Sequence, residues 1–139
     1  MKRIGIRVTV AALMVAGLAM LAGCPDELKP RVATRQEELT ARIKGYFGCF
    51  YNFEFERASL FVAPEKRAEF MVFAEKHSQG YTQENFSIRS IQINSPGDQA
   101  QVVARRFYSR WPAGALQSEK LKQTWVRLDK VWYLSGPPF

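Results

Sequence analysis

One imidazole, two thiols and a cluster of cations are the groups in this chain that could do chemistry. His77 is the single histidine. A general base near neutral pH needs such an imidazole in a cleft, with a carboxylate to orient it. Glu75 and Glu84 are close to His77 in sequence, and Tyr81 is a second candidate proton carrier. His77 also follows Phe73 by one helical turn, beside an apolar face, where a histidine serves structure more often than catalysis. Zinc has less to work with: one histidine and one spare cysteine cannot supply four ligands without carboxylates, and no spacing here provides them. The chain has no Gly-rich phosphate loop, no Gly-x-Ser-x-Gly and no paired-carboxylate motif. The sequence therefore predicts no catalytic residue, no metal and no cofactor, with His77 and Tyr81 the residues to test if chemistry is present.

The two cysteines, Cys24 and Cys49, sit in different surroundings. Lys2, Arg3 and Arg7 give a basic start, Val8 to Ala22 is uncharged and mostly Ala, Val, Leu and Met, and the small residues Ala22 and Gly23 lead to Cys24. That order describes a secretory signal peptide. The apolar run is shorter than the ~20 residues a spanning helix needs. Leu21-Ala22-Gly23-Cys24 resembles the lipobox of bacterial lipoprotein precursors at all four positions. The resemblance implies diacylglycerol on the Cys24 thiol, cleavage before Cys24 and acylation of the new amino terminus. Two or three chains on one residue anchor it firmly in a bilayer, where a single chain holds only marginally. The alternative is an ordinary signal peptide with Cys24 as a structural thiol. Pro25 follows the cysteine. An Asp there resembles an inner-membrane retention signal, so its absence favours the outer membrane, facing the periplasm.

With Cys24 consumed by lipid, Cys49 has no intrachain partner. Its neighbours Phe47, Phe50 and Tyr51 make it a buried, inert thiol. An intermolecular disulfide or a redox role lacks a Cys-x-x-Cys or a second thiol.

Charge narrows the partners. The formal charge of the whole chain is +7, but Lys2, Arg3 and Arg7 belong to the signal, so 17 basic residues face 13 acidic ones after Cys24, a balance of +4. Export and the lack of a basic run of five or more argue against nucleic acid. Arg105, Arg106, Arg110, Lys120 and Lys122 crowd the middle of the second half, with Phe107, Tyr108 and Trp111 interleaved. Either these line an ordinary solvated strand face, or Arg106, Tyr108, Arg110 and Trp111 form a ligand or partner surface for anionic headgroups or an acidic protein.

The elements that must position these groups are legible from periodicity. Residues 1–23 are the signal, 24–33 a lipidated cysteine and tether, and 34–139 one domain. The tether carries prolines and charges without periodicity, and nine residues reach up to ~30 Å. Thr34 and Glu37 fit a capping box, and Leu39, Ile43, Tyr46, Phe47, Phe50 and Tyr51 mark one face of a helix over 35–51. Gly45 and Gly48 predict close packing or a late kink there. A second helix is expected over 52–62. A third starts at Pro64, shows Phe70, Phe73 and His77 on one face, and closes at Gly80. The period then becomes two. Phe86 and Ile88 alternate on one parity and Ile91 and Ile93 on the other, which predicts a β-bulge near Arg89 or Ser90. Turn residues at 95–98 precede a strand over 99–111, and Leu116 to Leu128 is a third strand. Asp129-Lys130 is a two-residue hairpin that pairs Leu128 with Val131, Arg127 with Trp132 and Trp125 with Leu134. Trp125, Trp132 and Leu134 then share one face, and Val126, Leu128, Val131 and Tyr133 share the other. Both carry apolar residues, so one must pack on the helices and the other must meet a partner, a second copy or part of the first helix.

Three helices followed by a bent antiparallel meander is an α+β layout. Trp125, Asp129, Trp132 and Leu134, after helices rich in Phe and Tyr, resemble the nuclear transport factor 2-like superfamily, and within it small lipoproteins of unassigned function. The resemblance covers about residues 34 to 136. It implies a cone-shaped, cystatin-like half-barrel of four strands with helices on its concave side, and often dimerisation through the sheet. The expected function is a lipid-anchored, non-enzymatic binding module of the cell envelope, meeting a protein partner or a small apolar ligand. The alternatives are an isomerase or dehydratase using the cone, and a structural homodimer spacing the envelope.

Overall fold

The structure, a computed structural model, describes residues 33–112 and 114–139. Leu21, Ala22, Gly23, Cys24 and the tether up to residue 32 lie outside the described residues. The first helix, α1 (Arg35–Tyr51), begins on the expected capping box. The Glu37 amide donates to Thr34 Oγ1 at 3.2 Å and the Thr34 amide donates to Glu37 Oε2 at 2.7 Å. Such a cap is worth about 1 kcal/mol. Leu39, Ile43, Tyr46, Phe47 and Phe50 are its buried face. Gly45 is there because a Cβ would meet the Phe61 ring at 2.7 Å, whereas a Cβ on Gly48 would meet nothing within 4 Å.

The second helix is shorter than the sequence predicts: α2 spans Phe55–Ser59, not 52–62. Phe53 leaves α1 with a φ of 57°. Beyond Ser59 the chain is taken over by the sheet. The Ala63 amide donates to the Leu134 carbonyl at 2.9 Å, and the Leu134 amide donates to the Phe61 carbonyl at 2.8 Å. This short parallel bridge covers the otherwise open edge of the last strand. The proline-led turn Pro64–Lys66 then feeds α3 (Arg67–Ser78), which buries Phe70 and Ala74. Gly80, at φ 99°, reverses the chain.

Four strands follow in meander order: β1 (Tyr81–Ile93), β2 (Gln99–Arg110), β3 (Leu116–Leu128) and β4 (Val131–Leu134). The register of β1 on β2 slips between Ile88 and Ser90, where alternation required a bulge. A second slip, between Gln83 and Asn85, had no apolar alternation to reveal it. The two bulges bend β1, and the sheet curls into a half-barrel. Trp125↔Leu134, Arg127↔Trp132 and Leu128↔Val131 pair as the two-residue hairpin dictates. That turn holds Asp129 and Lys130 at φ 47° and 67°.

The concave face carries the core. Ala100, Val102, Ala104, Leu121, Trp125, Trp132 and Leu134 bury against the aromatic face of α1 and against Phe70 and Ala74 of α3. The opposite face is partly answered by α1 itself. Arg42 donates from Nε to the Trp132 carbonyl at 3.0 Å, and its guanidinium lies 5.4 Å from the Tyr133 ring. Leu128 stays exposed.

Candidate binding site in the cone

Alternation along β2 points Arg106 to the concave side, among Ala104, Phe73 and the end of the chain. It is 7% exposed. The register places Glu119 of β3 directly opposite. Arg106 Nη2 and Nε donate to Glu119 Oε2 at 2.8 and 3.1 Å, and Nη1 donates to the Phe139 main-chain oxygen at 3.4 Å. A guanidinium this deep needs its charge answered on the spot, and Glu119 answers it.

The single surface expected of Arg106, Tyr108, Arg110 and Trp111 is therefore corrected. Arg106 is interior and committed to Glu119. Tyr108 is half-buried, with its ring edge-on to Tyr81 at 5.5 Å. Arg110 is exposed and donates to the Tyr81 hydroxyl at 2.6 Å. Trp111 is 80% exposed, with Leu116 exposed across the same hairpin. The outer part of the set, Arg110 and Trp111, remains a rim.

His77 joins the core to that rim. Its ring stacks on Tyr81 at 4.5 Å and 9°, lies 5.3 Å from Phe73, and sits 5.4 Å from Phe50. Its pKa is held down to about 4, first by burial and then by the Arg106 charge, with Glu119 opposing the fall. An imidazole neutral at all but acid pH fills an aromatic column. It lacks the affinity for protons that a base poised near pH 7 needs. The structure thus brings His77 and Tyr81 together, face to face, in a stack.

Sequence reasoning missed Gln123 and Phe139 as members of the interior, and the fate of two hydroxyls on residues it did place there. Tyr46 and Tyr51 look like core by spacing, yet both hydroxyls are buried without a hydrogen-bond partner. Desolvation raises both pKa values, and the Arg106 charge pulls against it. Gln123, fully buried, accepts from Trp125 Nε1 at 3.4 Å and donates to the Pro138 carbonyl at 3.3 Å. Phe139 closes the list: its ring packs 5.4 Å from Phe70 and 5.5 Å from Phe73. Only the β2–β3 register could have revealed Glu119. Nothing in the sequence folds residues 136–139 inward. Cys49 is half-buried, with its thiol pKa raised by burial. Among the described residues no group of three or more His, Cys, Asp or Glu is placed to hold a metal. Surface clefts of 290 to 480 Å³ are lined by α1, the α2 region and the two outer hairpins; Arg106, His77 and Tyr81 line none of these.

No family model matches the sequence, and no curated protein matches it. Solved structures do match. A nuclear transport factor 2-like protein of unknown function from Shewanella oneidensis superposes with a TM-score of 0.61 at 12% identity, over 74% of this chain and 96% of that one. The fold is nuclear transport factor 2-like. A ketosteroid isomerase-like protein from Erwinia carotovora atroseptica matches with a TM-score of 0.56 at 9% identity, over 71% of this chain and 89% of the other. A protein of unknown function with a cystatin-like fold, from Nostoc punctiforme, gives 0.52 at 13%, over 76% and 91%. At these identities the likeness speaks for the nuclear transport factor 2-like architecture alone. Function has to come from the site.

Proposed function

We propose that this chain is a lipid-anchored domain of the bacterial envelope, held at the bilayer by acylated Cys24, whose nuclear transport factor 2-like body recognises a partner instead of transforming a substrate. The observation that carries recognition over catalysis is the filled cone. Phe70, Phe73, Phe139, Trp125 and Arg106 pack together in the interior of the cone, with Glu119 pairing Arg106 from its exposed side. His77, the residue best suited to proton transfer, is stacked and held neutral. The anchor rests on the basic start, the apolar run and Leu21-Ala22-Gly23-Cys24. Pro25 stands where an Asp would resemble an inner-membrane retention signal, which favours the outer membrane, facing the periplasm. The exposed rim of Arg110, Trp111 and Leu116 is the surface offered to a protein partner. A cation beside a bare indole suits an acidic protein patch.

Detergent phase partition tests the reading. The wild-type protein made in a bacterial host goes to the detergent-rich phase, and Cys24→Ser goes to the aqueous phase. Equal partition of the two removes the anchor.

A further inference from the structure

The outward face of the sheet carries charge of one sign. The alternation that turns Ala104, Arg106 and Leu121 inward turns Arg105, Lys120 and Lys122 outward, and all three are exposed. The β2–β3 register sets Arg105 directly opposite Lys120, with Lys122 opposite Val103 beside them. Like charges directly opposite each other in an antiparallel pair destabilise it. Arg89 adds a fourth cation. It is exposed at the bulge of β1, between the residues that pair with Ala104 and Val103. Their neighbours across the ladders, Ser87, Ser90, Phe107 and Ser118, bring no acid. Elsewhere the sheet answers its arginines: Arg106 pairs with Glu119, and Arg127 with Glu38. No carboxylate among the described residues pairs with Arg89, Arg105, Lys120 or Lys122. The fold therefore bears a repulsion that its own described side chains leave unanswered.

We propose that this outward face docks on the anionic headgroups of the bilayer that holds Cys24. The proposal goes beyond partner recognition and rests on the anchor. The length of the tether selects the bilayer. Residues 25–33 reach at most ~30 Å, so the headgroups are always within range of an anchored domain and are met at high effective concentration. A cluster of lysines and arginines that close to anionic lipid is drawn onto it. The charge pattern also selects against a second copy, which would set these cations against their own kind. None of the clefts described above is lined by the four cations, so they share an open face that suits a plane of phosphates. Trp111 lies six residues beyond Arg105, roughly 20 Å along an extended chain. The rim is thereby left at the margin of the contact for a protein partner.

The test uses full-length protein made in a bacterial host and reconstituted through its anchor into phosphatidylcholine vesicles or equimolar phosphatidylcholine–phosphatidylglycerol vesicles. An amine-reactive ester followed by peptide mass spectrometry reads the exposure of each lysine. Lys120 and Lys122 are expected to label at least about fivefold more slowly on the anionic vesicles. Lys44 and Lys76, exposed on α1 and α3, are expected to label alike on both. High salt is expected to remove the protection. The double substitution Arg89→Gln, Arg105→Gln is expected to remove most of it, with circular dichroism as the check on folding; both sites are exposed and tolerate change. Equal labelling of Lys120 and Lys122 on the two vesicles, or protection indifferent to salt, overturns the proposal. Lysines open on anionic vesicles but shielded in native envelope membranes give the face to an acidic protein and overturn it too. Flotation separates this from the anchor. A chain that floats with neither vesicle loses the anchor and the proposal together. One that floats only with anionic vesicles, with Lys120 and Lys122 protected, loses the anchor and keeps the docking face.

Discussion

Arg106 of β2 and Glu119 of β3 stand opposite each other across the ladder, joined at 2.8 Å, with the guanidinium buried and the carboxylate nearly half open. That asymmetry decides what each does. Glu119 keeps contact with water and can carry its charge alone. Arg106 cannot, and without Glu119 its remaining acceptor in the structure is the Phe139 oxygen. Removing one partner of a buried pair leaves a stranded charge, and replacing both with apolar groups does not. Glu119→Ala is therefore expected to cost about 2 kcal/mol in urea denaturation, below the ~3–5 kcal/mol of a fully buried pair because solvent reaches the carboxylate. The double substitution Arg106→Met, Glu119→Leu is expected to recover most of that loss. A double variant no more stable than Glu119→Ala contradicts this account.

His77 makes stability depend on pH in a defined direction. Its folded pKa is about 4, set mainly by burial, below the 6.5 of a free imidazole. In the window between these values the unfolded chain binds the proton and the folded one does not. The contribution is complete above pH 6.5 and is lost as pH falls toward 4. Thermal unfolding at pH 7 and at pH 5 reads the difference. Wild type is expected to lose more melting temperature over that interval than His77→Phe, which keeps the stack and removes the titration. Equal losses would show that the imidazole is not desolvated.

Gly45 and Gly48, three residues apart on α1, make a matched contrast. A methyl at 45 runs into the Phe61 ring, over which Arg42 lies at 4.3 Å. A methyl at 48 meets open space. Alanine gains about 1 kcal/mol over glycine inside a helix. Gly48→Ala is thus expected to stabilise by up to ~1 kcal/mol, and Gly45→Ala to destabilise by about 1–2 kcal/mol, as overpacking does. Denaturant midpoints of the two variants moving the same way would sink the argument.

Trp111 is expected to matter outside the fold. Truncating so exposed an indole leaves stability within about 0.5 kcal/mol. A photoreactive amino acid at position 111 is expected to crosslink a discrete protein in intact cells. The same residue at Arg89, also exposed but on β1, is expected to give none. Indistinguishable patterns from the two positions remove the rim as a docking surface.

How much of this was legible in the sequence varied with how local the cause was. The bounds of α1, the Thr34–Glu37 cap, the bulge after Ile88 and the register from Trp125 to Leu134 all follow from short-range periodicity and turn chemistry, and the structure has them as read. The early end of α2 was hidden, because it depends on the edge of β4 claiming residues 61–63. The surface reading of Arg106 went wrong for a related reason. An arginine in a strand reads as solvated until the β2–β3 register brings Glu119 to it. Phe139 and Gln123 were invisible as site residues, since only the folded cone brings residues 136–139 to Phe70 and Phe73.

The amino-terminal peptide of the protein made in a bacterial host is the most direct witness to the lipid anchor. Mass spectrometry of that peptide is predicted to find a chain beginning at Cys24, with diacylglycerol on sulfur and an acyl group on nitrogen. A bare Cys24 thiol, or a mature chain beginning at another residue, would contradict it.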